Sequence, residues 1–355
     1  MIPVIETRHL SKEYKISIKQ PGVKGVLRSF FKKEYRSVHA VKDLTIQINK
    51  GELVGFLGPN GAGKTTTLKL LSGLLYPTSG SLSILGFIPS NRERAFQKKF
   101  SMVMGQRTQL WWDLPARETF KLNQKIYEVP DSIYKKWVEE LIDLLDLKEL
   151  VELPVKKLSL GERMKAELCC ALIHSPEILL LDEPTLGLDL IMQKKLRSFI
   201  QSYNEKTGAT ILLTSHNMSD VEELCKRVMI IDEGQLLFDG ALEKIVHHFA
   251  PDKVVTLSTS TPLVKEQLEK MGKIVAMNGK TASIEVPRQA VMSRLQALFS
   301  QGTLIDLSIE EMSIEEIIRR AFLKASSLKE IEPRTKESLE PSSEEKPNTS
   351  ERLLP

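Results

Sequence analysis

The residues whose types and spacing best fit a known chemistry form one short glycine-rich loop. Residues 58–65 fit the phosphate-binding pattern G-x-x-x-x-G-K-[ST], reading Gly58-Pro59-Asn60-Gly61-Ala62-Gly63-Lys64-Thr65. Glycines let successive backbone N–H groups turn toward one anion, and the N-terminus of a following helix adds partial positive charge. Lys64 is then placed to bridge the β- and γ-phosphates of a nucleotide, Thr65 to ligate Mg²⁺, and Thr66 to reach the α-phosphate.

The sequence on either side of the loop predicts the elements that this chemistry needs. Residues 53–57 form a short apolar run typical of a buried parallel strand, and residues 66–75 place leucines at helical spacing. A strand, a glycine-rich loop and a helix in this order predict a nucleoside triphosphate site. The alternative is a glycine-rich turn that happens to end in Lys-Thr, and it does not explain the flanking pattern.

Two acids follow another apolar run, at residues 178–181. Carboxylates at the carboxyl end of a parallel strand lie where α/β sheets bind ligands. Asp182 can hold Mg²⁺ through water, and Glu183 can polarise an attacking water as a general base. The alternative is that both are ordinary loop acids.

Two further polar residues follow predicted strands. His216 comes after the strand at residues 210–215, and Gln106 comes just after the strand at residues 100–104. His216 can contact a γ-phosphate, and Gln106 can reach Mg²⁺ or the attacking water. Alone, a histidine is more often a capping or core group, and a glutamine more often a loop polar group.

Two other features, Tyr14 and the helix start at Ser159, have both a binding and a structural interpretation. Tyr14 can stack on an adenine ring, or it is a half-buried strand aromatic. Ser159 and Glu162 form the pattern of a capping box that opens a helix. Ser159, Gly161 and the helix N-terminus also offer donors to a phosphate.

Length and composition limit the class of protein. The chain has 355 residues, with 41% hydrophobic and 27% charged residues, which predicts a globular protein of about two domains. No run approaches the ~18 apolar residues that cross a bilayer, and no signal peptide is expected. The net charge of +4 does not indicate a nucleic-acid partner. The cysteines Cys169, Cys170 and Cys225 have no metal or disulfide spacing, which fits a cytosolic chain. Cys169 and Cys170 lie in an apolar stretch and are predicted core thiols.

Two segments stand out from the rest. Residues 15–37 carry seven basic groups and one acid around Phe30 and Phe31, which fits an anionic membrane surface or, equally, a solvated insertion loop. Trp111 and Trp112 are adjacent in a loop, where two tryptophans indicate either core or a docking surface. Turn residues also predict hairpins at 49–51 and 232–234.

In this order, the motifs resemble the nucleotide-binding subunits of ABC transporters over residues 4 to about 245. The matching elements are Tyr14, the loop 58–65, Gln106, the signature-like Leu158-Ser159-Leu160-Gly161-Glu162-Arg163, the strand 178–183, the loop Leu186-Gly187-Leu188-Asp189 that touches a partner subunit, and His216. The signature departs from the usual Leu-Ser-Gly-Gly-Gln, because Leu160 replaces the first glycine and Glu162 the glutamine. Glu162 would repel a triphosphate unless it caps the helix and points away.

The resemblance implies an α/β phosphate-loop NTPase core with an antiparallel β subdomain and a helical subdomain, plus a small C-terminal α+β domain. The expected boundaries are 1–245 for the ATPase (helical subdomain about 107–172), 251–325 for the small domain and 326–355 for a disordered tail. ATP and Mg²⁺ are the expected ligands.

The resemblance also implies partners and a location. We expect a homodimer or heterodimer that places each ATP between one loop 58–65 and the other subunit's Ser159. A separate membrane permease would hold the subunit at the cytoplasmic face of the cell membrane. Because the C-terminal domain is similar to that of exporter ATPases, we expect the direction of transport to be export. The rival is a non-transport ABC ATPase acting on ribosomes or DNA, but such proteins carry two ATPase units, coiled coils or zinc sites, and this sequence shows one phosphate loop.

Overall fold

A computed structural model describes residues 2–18, 34–105, 108–249, 252–299, 304–312 and 316–317 of the protein. Three predictions concern residues outside these ranges: the position of Gln106, residues 19–33 of the basic stretch, and the tail at 326–355. Among the described residues, none of the helices combines the length and hydropathy needed to cross a bilayer.

The strands and helices are numbered here in chain order. The strands are β1 Pro3–Ile18, β2 Glu34–Asn49, β3 Leu53–Leu57, β4 Ser79–Ile84, β5 Phe100–Met104, β6 Ile178–Asp182, β7 Thr210–Thr214, β8 Arg227–Asp232, β9 Gln235–Ala241, β10 Asp252–Thr259, β11 Lys273–Asn278, β12 Thr281–Pro287 and β13 Leu304–Glu311. The helices are α1 Lys64–Leu71, α2 Arg94–Gln97, α3 Ala116–Ile126, α4 Asp131–Leu144, α5 Leu160–Leu172, α6 Leu190–Thr207, α7 Met218–Leu224, α8 Leu242–Phe249, α9 Lys265–Met271 and α10 Val291–Phe299.

A six-stranded sheet in the order β5-β6-β7-β3-β8-β9 carries the predicted site residues. Neighbouring strands in this sheet pair parallel, except for β8 and β9, which pair antiparallel. Every residue of β6 and β7 is buried, as expected of short apolar strands covered on both faces. Because β7 lies between β6 and β3, the segments after these three strands meet at one edge of the sheet.

A second, three-stranded antiparallel sheet has the order β2-β1-β4. The ladder between β1 and β2 continues to the pair Ile18 and Glu34, so both ends of the basic stretch are strand residues rather than loop. The hairpin predicted at residues 49–51 is wrong, because β2 pairs with β1 whereas β3 pairs with β7 and β8. The hairpin at 232–234 is confirmed, with Glu233 and Gly234 both at positive φ, as its tight turn requires.

Three helices, α3, α4 and α5, lie between β5 and β6 in the sequence, and α5 contacts β5 as well as the other two helices. The helical period of Val138, Leu141 and Ile142 on α4, with Leu145 at its C-cap, is confirmed, since all four side chains are buried in the main core cluster. The indole N–H of Trp137, also on α4, donates to Leu172 O at the end of α5 over 2.8 Å. This bond ties the two helices together.

The last sheet is built from residues 252–311. Its elements follow the order β10-α9-β11-β12-α10-β13, and its antiparallel strands lie in the order β11-β12-β10-β13. This is the split β-α-β arrangement of ferredoxin-like units. The sequence does not indicate strand β11, because β11 is an edge strand with five of its six residues exposed and so shows no apolar alternation.

All three cysteines are free and buried, so the prediction that Cys169 and Cys170 are core thiols is confirmed, and Cys225 is a buried thiol as well. Cys169 and Cys170 lie on α5, and Cys225 follows α7. Burial raises the pKa of each thiol far above that of an exposed cysteine.

Candidate functional site

The glycine-rich loop has a backbone that larger residues cannot reproduce. Gly63, just before α1, has a φ of +105°, and a Cβ there would lie 2.3 Å from Ala40 O. A Cβ on Gly58 would lie 2.4 Å from Ile231 O. These close approaches on both sides require glycine and fix the loop against neighbouring strands.

Lys64 lies buried beneath this loop. Its Nζ donates to Gly58 O over 2.7 Å and to Pro59 O over 3.1 Å. Burial lowers the pKa of Lys64, and the carboxylates of Glu183 and Asp182 oppose this shift. The ammonium is therefore already desolvated and held next to the carbonyls of the loop.

Thr65 and Asp182 come together from opposite ends of the sequence. The Thr65 hydroxyl lies 3.0 Å from Asp182 Oδ2, and the Thr214 hydroxyl lies 2.7 Å from Asp182 Oδ1. Within the described part of the chain there is no cluster of three acidic, histidine or cysteine side chains that could hold a metal by itself. One hydroxyl and one carboxylate side by side do fit Mg²⁺ in nucleotide sites, where phosphates and waters supply the other ligands.

Glu183 and His216 form a second pair at the same sheet edge. His216 Nε2 lies 2.7 Å from Glu183 Oε1. Glu183 has a φ of +55°, and its N–H donates to both the carbonyl and the hydroxyl oxygen of Thr214, each over 3.1 Å. These bonds hold a non-glycine residue in the left-handed region, which is typical of functional sites. The pair lies at the mouth of a cavity of about 240 Å³ that Thr185, Gly187 and Gln193 also line.

Comparison with known proteins identifies the family. Residues 41–186 match the ABC transporter family, and residues 251–310 match the EvrA-like ABC transporter C-terminal domain. The ABC transporter ATP-binding protein NatA of Bacillus subtilis (strain 168) is 35% identical over 215 residues, which cover 61% of this chain and 87% of NatA. The chain belongs to the ATP-binding subunits of ABC transporters. It therefore binds ATP and hydrolyses it, as the phosphate loop predicted.

Two more comparisons support the family assignment. The bacitracin transport ATP-binding protein BcrA of Bacillus licheniformis is 38% identical over 206 residues, which cover 58% of this chain and 66% of BcrA. A solved structure of an ATP-binding subunit of an ABC transporter superposes with a TM-score of 0.58 and 26% identity, covering 69% of this chain and 93% of that one. The predicted α/β phosphate-loop fold is thus confirmed.

The altered ABC signature opens α5 with a complete capping box. The Ser159 N–H donates to Glu162 Oε2 over 2.8 Å, and the Glu162 N–H donates to Ser159 Oγ over 3.3 Å. Glu162 therefore turns its carboxylate back onto the helix end. Gly161 packs against α6, since a Cβ there would lie 3.0 Å from Met192 Cγ. These contacts do not bring Ser159 or Gly161 to the phosphate loop of the same chain.

The remaining site residues lie in less specific surroundings. Tyr14 is half-buried on β1 opposite Val38, and the Lys12 ammonium lies 5.4 Å from the centre of its ring. Thr66 is half-buried in the first turn of α1. Gln106 is outside the described residues, but its neighbour Gly105 donates its N–H to Asp182 O over 2.9 Å. The chain therefore leaves β5 beside Asp182.

The tryptophan pair lies on the surface, so the core interpretation is excluded. Trp111 is 54% exposed and Trp112 50% exposed. Two residues one turn apart on α5 hold this loop: Arg163 lies 5.5 Å over the Trp112 ring, and the buried Glu167 accepts the Gln109 N–H over 2.8 Å. The loop is thus tied to the helix that begins at Ser159.

Proposed function

We propose that this chain drives a separate membrane permease, in the export direction, by hydrolysing ATP at the edge of its central sheet. The observation that carries the chemistry is the placement of two pairs beside the phosphate loop, Thr65 with Asp182 and Glu183 with His216. One pair suits Mg²⁺ and the other suits the attacking water.

Each residue then has one task in hydrolysis. The backbone of residues 58–65 and the Lys64 ammonium bind the phosphates, and Thr65 with Asp182 would hold Mg²⁺, which neutralises phosphate charge when bound. Glu183 takes a proton from the attacking water. His216, which lies 2.7 Å from Glu183, would contact the γ-phosphate. As the sequence predicts, Gln106 would reach the attacking water and Tyr14 would stack on the adenine.

The isolated subunit presents only part of a complete site. The contacts described for Ser159 and Gly161 are with Glu162 and Met192 and include no residue of the phosphate loop, so a second subunit would supply both residues to that loop across a dimer interface. Leu186 and Leu160 leave apolar surface beside this helix end, at 44% and 39% exposure. Burial of that surface would favour dimer closure when ATP is bound.

The permease would dock at the Trp111–Trp112 loop. Two half-exposed tryptophans on a loop held by Arg163 and Glu167 form a fixed apolar surface, which is the kind of anchor that interfaces use. Export is favoured by relatives whose names refer to it, such as the Nod factor export ATP-binding protein I of Ralstonia nicotianae, 32% identical over 256 residues. A permease partner would also place the subunit at the cytoplasmic face of the cell membrane.

The catalytic assignment is tested with Glu183→Gln. The amide keeps the shape of the side chain but cannot accept a proton, so turnover should fall by ~10²-fold or more while ATP binding persists. ATP should then trap a closed dimer, visible by size-exclusion chromatography. Glu233→Gln is a matched control, because Glu233 lies exposed on the hairpin between β8 and β9. Wild-type turnover in Glu183→Gln would overturn the assignment.

The docking surface is tested by changing both tryptophans to alanine. The variant should bind ATP normally but retain less permease when tagged subunit is purified from solubilised membranes. Tyr76→Ala is the control, since Tyr76 is 59% exposed outside this loop. Full retention of the permease by the double variant would place the contact elsewhere, and loss of thermal stability would show a structural role instead.

A further inference from the structure

A fully buried carboxylate lies behind the Glu183–His216 pair and takes no part in the chemistry proposed above. Asp220, on α7, is 0% exposed. Its Oδ2 accepts hydrogen bonds from the hydroxyls of Thr185, at 2.5 Å, and Ser215, at 2.6 Å. Its Oδ1 lies 2.9 Å from Arg197 NH1, a guanidinium on α6 that is itself buried.

The two hydroxyls come from the two segments that carry the catalytic pair. Thr185 lies two residues after Glu183, and Ser215 directly precedes His216. Both hydroxyls donate to the same atom, Asp220 Oδ2, so this atom holds the two segments in a fixed position relative to each other. The Ser215 hydroxyl also lies 3.2 Å from Asn217 O, but the carboxylate is the closer and charged acceptor.

The charge of Asp220 is balanced where it lies. Arg197 faces Asp220 with one nitrogen and Glu223 with another, at 2.9 and 2.8 Å. Asp220 Oδ2 accepts from both hydroxyls while Oδ1 accepts from the guanidinium of Arg197, so each hydroxyl has a fixed direction and the two segments have one arrangement.

We propose that Asp220 is a positioning residue for ATP hydrolysis, which aligns Glu183 and His216 through Thr185 and Ser215. The inference rests on the proposed roles of Glu183 and His216. It assigns no contact with nucleotide to Asp220. A general base must lie within hydrogen-bond reach of its water, and a displacement of about 1 Å can cost ~10²-fold in rate. Loss of either hydroxyl would allow such a displacement while leaving the phosphate loop intact.

The test removes one hydroxyl at a time. Thr185→Val and Ser215→Ala should each lower kcat by roughly ten- to a hundredfold, while KM for ATP and ATP affinity by calorimetry change little. Thr185→Ser and Ser215→Thr keep a hydroxyl and should recover most of the lost kcat. Thr256→Val is a matched control, because it removes a half-buried hydroxyl that bonds Ser283 2.9 Å away in another sheet.

A second measurement separates positioning from simple stabilisation. If Thr185 acts through Glu183, Thr185→Val should cost nothing further in a Glu183→Gln background, because the group it positions is already absent. Asp220→Asn is the direct variant, and it leaves Arg197 short of a charge, so its thermal stability is measured beside its kcat.

The outcomes distinguish the two proposals. Wild-type turnover in Glu183→Gln overturns the proposed function itself. Inactive Glu183→Gln combined with normal kcat in Thr185→Val and Ser215→Ala overturns only the role of Asp220. So does an equal loss of kcat in Thr185→Ser and Thr185→Val, or a loss that merely follows the fall in thermal stability.

Discussion

Replacing Lys64 by alanine gives a quantitative test of the phosphate loop. Lys64 is 6% exposed, and its ammonium donates to the carbonyls of Gly58 and Pro59, at 2.7 and 3.1 Å. Because it is desolvated before nucleotide arrives, it loses little hydration on binding a phosphate. What it loses are the two carbonyl bonds.

The size of the effect follows from this exchange. The two bonds to the β- and γ-phosphates join charged groups at both ends and lie near the top of the ~1.5–3 kcal/mol range for charged hydrogen bonds, whereas the two ammonium–carbonyl bonds that are given up lie near its bottom. The net contribution of about 2–3 kcal/mol predicts that Lys64→Ala weakens ATP binding by roughly 30- to 150-fold. AMP lacks both phosphates, so its affinity should hardly change.

The pH dependence supplies a second readout. Burial lowers the pKa of Lys64 below 10.5, the ordinary value for a lysine side chain, whereas bound phosphates would favour its charged form. Above the lowered pKa, ATP binding must take up a proton, so wild-type affinity should fall as pH rises through that pKa toward 10.5. Lys64→Ala should show a flatter profile. Titration calorimetry at several pH values measures both effects, and unchanged ATP affinity or an equally steep profile in the variant would refute the reasoning.

Two further predictions concern stability. Glu162→Ala breaks the capping box of α5 and should lower the free energy of unfolding in urea by ~0.5–1 kcal/mol. Glu162→Gln keeps the bond to the Ser159 N–H and should lower it much less. Equal losses in the two variants would mean that the capping box contributes nothing to stability. The rings of His174 and Tyr127 stack with their centroids 3.8 Å apart, and burial lowers the pKa of His174 below 6.5. The contribution of His174 to stability is therefore fully present above pH 6.5 and is lost as the pH falls below that value. His174→Phe keeps the stacking without a proton site, so its stability should fall less between about pH 6.5 and 5, by up to ~1.4 kcal/mol per pH unit; parallel profiles would exclude this group.

Much of the site could be predicted because its chemistry is written in short local patterns. The phosphate loop, Asp182 with Glu183, and His216 each follow a short apolar run, and such runs become buried parallel strands whose carboxyl ends share one edge. Adjacency in the sheet then brings together residues that are over a hundred positions apart, such as Thr65 and Asp182.

The errors and omissions arise where the partner of a segment decides the outcome. The turn at 49–51 looks like a hairpin locally, but β3 is buried between two parallel neighbours, and the antiparallel pairing goes to β1 instead. Thr185, Ser215 and Asp220 are common residue types whose importance depends on three segments meeting in space. No local sequence pattern predicts such a cluster.

Buried thiols also decide how motions of this protein can be followed. Cys169, Cys170 and Cys225 are at most 3% exposed and have raised pKa values, so maleimide reagents, which need an accessible thiolate, should leave all three untouched in the folded chain. A single cysteine introduced at an exposed position such as Leu190 or Tyr76 would then be the one labelled site. Fluorescent or spin probes can therefore report dimer closure in the natural sequence background, without first removing a cysteine from the core.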